Sequence, residues 1–248
     1  MAIRYALALG ALGLMWQAPV CSSWVWCNRG TSARTYDKPL GDTTLPSVVR
    51  GNVMVFRCMM LALVAQLKGA VVTVEQPTSS LMSCHPAFAW FNKCGALLPG
   101  LFPLLRYHMW MGMYGGGSPK STVLWSSARY TKLLKIKLDS KRVWPDVRNV
   151  SKIYWNNGKR RMMGGSKLKS TQAYPVQFGL RLGVLHSHYM EMPTLMHIME
   201  PAQMMPIPDF DWAGGAKIEK LWERVGISKA FKDMVAELCE GARAAMEA

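Results

Sequence analysis

The stretch from Leu12 to Val74 constrains this chain more than any other. Val53 to Lys68 (VMVFRCMMLALVAQLK) is a long apolar run of helix formers, and Gly69 stops it. Ala70 to Val74 follows at once, apolar and β-branched, which predicts a strand buried on both faces and ending at Glu75-Gln76-Pro77. Upstream, Ala2 to Leu9 reads as a short helix that turns at Gly10 into another buried strand, Leu12 to Gln17. Strand, helix, strand is the crossover unit of a parallel sheet. Both strands then end on the same edge, where α/β proteins place their sites.

The predicted strand ends carry chemistry. The first delivers Ala18-Pro19-Val20-Cys21-Ser22-Ser23-Trp24 into a Ser-, Thr-, Gly-, Pro- and Arg-rich loop reaching Pro46, and the second delivers Val74-Glu75-Gln76-Pro77. A thiol and a carboxylate on neighbouring strand ends suit one pocket. The plainer alternative makes Cys21 a small buried hydrophobe and Glu75 a cap for the next helix.

Composition sets the frame. At 248 residues with 50% hydrophobic content the chain is excluded from the disordered class and is long enough for one main domain with a full core. Six cysteines without a Cys-x-x-Cys pair exclude a disulfide-built scaffold and a zinc ribbon. The formal net charge of +15 is unevenly spread. Residues 1–105 hold 8 basic and 3 acidic residues, 106–181 hold 16 and 2, and 182–248 hold 6 and 10. The basic block is interleaved with Trp125, Tyr130, Trp144, Tyr154 and Trp155, the pattern of a surface whose cations neutralise phosphates and whose rings stack on bases. Arg129, Lys132, Lys135, Lys159, Arg160, Arg161, Lys167 and Lys169 are the predicted nucleic-acid surface. A solvated basic loop is the alternative.

Pro19-Val20-Cys21 with its Ser-rich, arginine-containing loop, then the apolar helix, then strand-Glu75-Gln76-Pro77, resembles the central part of the cytosine-5 DNA methyltransferases. Tyr114 to Trp125 is similar to that family's Gly-x-Pro-Gln-x-Arg-x-Arg element with its trailing strand, and Lys169 to Pro175 with the helix through Leu185 resembles its closing motif. The same blocks resemble those of multicopy proteins of protist genomes. The resemblance covers about residues 11–190. It implies a partial Rossmann-like methyltransferase sheet with a basic irregular insert and a C-terminal helical extension.

The resemblance also implies roles. Cys21 would add to C6 of a cytosine flipped out of its stack, and Glu75 would donate a hydrogen bond or proton at the ring nitrogen. Arg29, Arg34, Lys120 and Gln172 would contact the substrate. S-adenosylmethionine is the implied cofactor, yet the family's Phe-x-Gly-x-Gly donor loop has no counterpart, so no cofactor-binding residue is assigned. The expected protein is a DNA (cytosine-5)-methyltransferase-like chain, truncated on the donor side, that transfers methyl to cytosine if active. A partner chain or an upstream exon would supply the missing half. Nucleic acid is the expected partner, DNA before RNA, with no membrane and a nuclear or other intracellular location. Two alternatives stand beside it: a non-catalytic basic nucleic-acid-binding protein derived from that fold, and a secreted basic protein with a signal peptide at 1–18.

His186, His188 and His197 with Glu191 and Glu200 could hold a metal, but a polar loop is the preferred reading and no metal site is assigned. Predicted organisation is a methyltransferase-like domain over 1–190 (11–105 the catalytic-motif half, 106–181 the basic segment), a Met/Pro-rich linker over 191–208, and amphipathic C-terminal helices over 209–248.

Overall fold

The computed structural model of the chain describes residues 2–97, 100–144, 151–156, 158–164 and 172–191. The predicted linker beyond Glu191 and the C-terminal helices lie outside them.

Helix α1 (Ala2–Ala8) leads into strand β1 (Leu14–Gln17), and after the short helix α2 (Arg29–Ser32) comes the long helix α3 (Pro46–Leu67). Helix α3 starts at Pro46, a turn and more before the predicted Val53, because proline at the first helical position loses no hydrogen bond and is already set to helical φ. Its end is the one expected. Gly69 takes φ +76° and donates to the Gln66 carbonyl, while Ala70 donates to the Ala65 carbonyl, the paired bonds of a glycine-terminated helix. Strand β2 (Val71–Pro77) follows directly and pairs parallel with β1, Gln17 opposite Val74.

The rest of the described chain adds helix α4 (Pro86–Leu97), strands β3 (Leu105–Trp110) and β4 (Ser121–Ser126), the hairpin β5 (Ser151–Asn156) and β6 (Lys159–Gly164), and helix α5 (Val176–Glu191). The main sheet has the order β1-β2-β4-β3, with β4 antiparallel to both neighbours. The fold is α/β with a mixed four-stranded sheet. The basic stretch 106–181 is therefore not irregular: it supplies β3 and β4 to the main sheet and a separate antiparallel hairpin.

Side-chain alternation along the strands builds two cores. Val72, Val74, Val123 and Trp125 face α3 and α4, packing on Phe56, Met59, Leu63, Phe88 and Phe91. Val71 and Leu124 face α5, packing with Tyr130, Leu134, Phe178 and Leu185. Two rings expected to stack on bases are thus core: Trp125 is 5% exposed and Tyr130 1%. Trp155, on the hairpin, is 72% exposed. Helix α3 is long and apolar enough to cross a membrane by length and composition, and here it forms the centre of the first core.

Helix α4 closes on the chain that follows it. A β-carbon added at Gly95 would lie 2.7 Å from both the Phe102 carbonyl carbon and the Pro103 nitrogen, backbone atoms that cannot rotate away. Gly95→Ala is therefore expected to destabilise by about 1–3 kcal/mol, against the ~1 kcal/mol gain that helix propensity alone forecasts. Urea denaturation decides between the two signs.

Candidate active site

The carboxyl ends of β1 and β2 are tied to each other by two bonds. Gln76, buried at the end of β2, donates from Nε2 to the Pro19 carbonyl just before Cys21. Beyond it, the Leu81 amide donates to the Trp24 carbonyl at 3.0 Å. Ser80 holds Gln76 in place through a 3.0 Å bond to Oε1 and caps the following turn at Met82. Cys21 begins a turn of its own, its carbonyl accepting from the Trp24 and Val25 amides.

Glu75 faces the α5 side of the sheet and is 6% exposed. Two hydrogen-bearing groups from distant segments converge on it. The Tyr174 hydroxyl donates to Oε2 at 3.0 Å, and the Lys120 ammonium stands 3.6 Å from Oε1. The ammonium also lies over the Tyr174 ring, 5.3 Å from its centroid, and the Trp16 indole reaches the Tyr174 oxygen at 3.4 Å. Lys120 holds this position with φ +35°, a left-handed conformation disfavoured for any side chain and concentrated at functional sites.

Cys21 shares the electrostatic environment of this cluster. Burial, and after it the Glu75 carboxylate, pushes its thiol up from the ordinary value, while a backbone hydrogen bond and Lys120 pull the other way. Burial and then Glu75 likewise push the Tyr174 phenol up, keeping it a donor. A raised thiol is mostly protonated at neutral pH, so this cysteine rests as S–H. The arrangement gathers a buried carboxylate, two hydrogen donors that reach it and a protonated thiol that feels its charge.

Of the predicted substrate contacts, Lys120 alone stands at Glu75. Arg34 is a correction. It is 1% exposed, turned inward, and bonded to the Pro39 and Val48 carbonyls, Asn52 and Ser23, so it faces no ligand. Arg29 spans the two strand-end loops, donating to the Ser79 carbonyl at 3.4 Å with its guanidinium over Tyr36. Gln172 is exposed, and the side chain of its segment that reaches Glu75 is Tyr174. Trp16 and Tyr174 are the site residues that sequence reasoning missed. Tyr174 carried a signal nonetheless, an aromatic just before Pro175 at the start of a helix.

On the predicted nucleic-acid surface, Lys132 and Lys135 are exposed and Arg129 is half-buried. Lys159, Arg160 and Arg161 lie on β6, opposite Asn156, Trp155 and Tyr154. Lys167 and Lys169 lie outside the described residues. His186 and His188 stand on α5 rather than in a loop, and His186 Nδ1 sits 3.0 Å from the Tyr130 hydroxyl. Among the described residues no group of three or more ligating side chains comes together, and Cys21, Cys27, Cys58, Cys84 and Cys94 are all free thiols. No protein-family model, curated protein or solved structure matches the chain.

Proposed function

We propose that the chain is a cytosine-5-methyltransferase-like protein whose carboxyl sheet edge receives an unstacked pyrimidine of a nucleic acid. The observation that carries this reading is convergence: the Cys21, Glu75 and Lys120 motifs and the Tyr174 segment, far apart in sequence, meet at one end of the sheet. The strand arrangement supports it as well. Parallel β1, β2 and β3 with reversed β4 between the last two resembles the closing half of a class I methyltransferase sheet. In this reading the Cys21 sulfur bonds to C6 of the ring, the ring double bond shifts, and the thiol's hydrogen ends on the ring nitrogen N3, handed over by Glu75.

The described residues do not fit S-adenosylmethionine. Strand β1 is the edge of the sheet, and no described strand pairs on its far side. The glycine run Gly115–Gly117 follows a 3-10 turn and abuts Gln177 and Pro175, which is no strand-to-helix phosphate or nucleoside turn. The described residues therefore address the base and not a methyl donor.

One observation favours a second reading, a non-catalytic nucleic-acid-binding protein on the same sheet: the Cys21 thiol is raised rather than lowered, and a protonated thiol is a poor nucleophile. The two separate in one experiment. An oligodeoxynucleotide carrying 2-pyrimidinone, an electron-poor cytosine analogue, is incubated with the protein and the mass followed. A covalent adduct on Cys21 is the expected result, and binding without any adduct leaves the non-catalytic reading.

A further inference from the structure

The described residues of the basic block enclose a groove away from Cys21. It lies between the segment carrying Leu133, Lys135 and Ile136 and the first turns of α5, with a volume of about 600 Å3, within the range of small-molecule sites. Its walls differ in character. Lys135 and Arg181 stand on it as exposed cations and no carboxylate lines it, while Met113, Leu133 and Ile136 give it an apolar side. Leu133 is 53% exposed and Ile136 37%, so aliphatic surface is left open beside the charges.

The positive potential reaches the neighbours. Lys135 and Arg106 help burial hold the His108 imidazole below its usual pKa, and Arg181 pulls the Tyr114 phenol down against burial. Of the acidic residues in the described part of 100–191, Asp139 and Glu191, neither lines the groove. A ligand for these walls needs an anionic group joined to a flat or apolar body. A phosphate diester with its sugar and base has that make-up, and Gln177 on the same rim adds an amide for a base edge or a phosphate oxygen.

We infer that this groove seats one nucleotide unit of a single-stranded polynucleotide, its phosphate on Lys135 and Arg181 and its base or sugar against Leu133 and Ile136. The inference rests on the nucleic-acid reading above and extends it to a second contact point. The two sites share the Tyr174–Gln177 segment, since Tyr174 reaches Glu75 and Gln177 lines the groove. A strand lying along this segment would meet both.

The test is fluorescence anisotropy with a labelled 12-nucleotide single-stranded oligodeoxynucleotide, using the full chain. K135E/R181E is compared with K137E/K141E, the same charge change on exposed lysines that neither line the groove nor belong to the predicted nucleic-acid surface. The expected result is a loss of about tenfold or more for the groove variant, a distinctly smaller loss for the control, and a salt slope flattened by about 0.7 for the one phosphate no longer neutralised. Equal losses in the two variants overturn the groove while the nucleic-acid reading stands. No binding by the unaltered chain, together with no adduct on Cys21, overturns that reading and the groove with it.

Discussion

Replacing Arg34 with alanine is expected to lower the unfolding free energy by about 2–6 kcal/mol, the cost of two buried acceptors left without a donor. The guanidinium is 1% exposed and has no carboxylate beside it; Lys120–Glu75 is the one ion pair among the described residues. What holds the charge is a set of neutral acceptors. Nη1 donates to the Pro39 carbonyl and to Asn52 Oδ1 at 2.8 Å, and Nη2 to the Val48 carbonyl at 3.1 Å and Ser23 Oγ at 3.3 Å. The guanidinium Cζ lies over the Trp24 ring, 3.4 Å from the centroid, and burial pulls the group's pKa down to about 10. Alanine would leave the Asn52 side-chain oxygen and the Pro39 carbonyl buried without donors, each costing about 1–3 kcal/mol, while the Val48 carbonyl keeps its bond within α3. Lysine is expected to recover less than half of the loss, because a single ammonium cannot span acceptors on the loop and on α3 together. Urea denaturation of both variants checks this, and a loss below about 1 kcal/mol for alanine would show that the loop after Cys21 is held by other contacts.

Glu75→Gln is expected to move two reactions of Cys21 in opposite directions. The carboxylate is the second-largest influence holding the thiol up, after burial, and Lys120 opposes it. Removing the negative charge leaves the ammonium unopposed, so the thiol pKa falls and the thiolate fraction at pH 7–8 rises. Alkylation of Cys21 by iodoacetamide, read by mass spectrometry, should accelerate several-fold. In the unaltered protein the rate should keep climbing with pH beyond the ordinary thiol range, since the raised pKa delays ionisation. The pyrimidinone adduct should instead slow sharply or vanish, because glutamine cannot hand a hydrogen to N3. Cys21→Ala should abolish both. If the adduct speeds up in step with alkylation, Glu75 acts only as a charge and its role as proton donor fails.

The two arginines after Cys21 show where sequence reasoning reached its limit. Arg29 and Arg34 stand in the same loop with the same chemistry, and nothing local separates them. Arg34 turns inward because two glycines clear its path: a β-carbon at Gly41 would fall 2.8 Å from its Cγ, and one at Gly51, on α3, 3.2 Å from Nη2. The basic block divides in the same way. Its aromatic residues look alike in the sequence, yet Trp125 and Tyr130 are core because β4 lies inside the sheet and the chain after it folds under α5, whereas Trp155 projects from a separate hairpin.

What the sequence determined by itself is local. The apolar run, its glycine stop and the β-branched stretch after it are decided within a few residues by helix termination and side-chain shape, and they are enough to make β1 and β2 parallel and to set Cys21 and Glu75 on one edge. Which groups complete that edge was a tertiary decision. Lys120 arrives through β4, and Tyr174 comes from 99 positions beyond Glu75, brought there by α5 packing its Phe178 face onto the sheet. Such a pairing is chosen by burial of a whole helix face, an energy summed over many contacts that no short stretch of chain encodes.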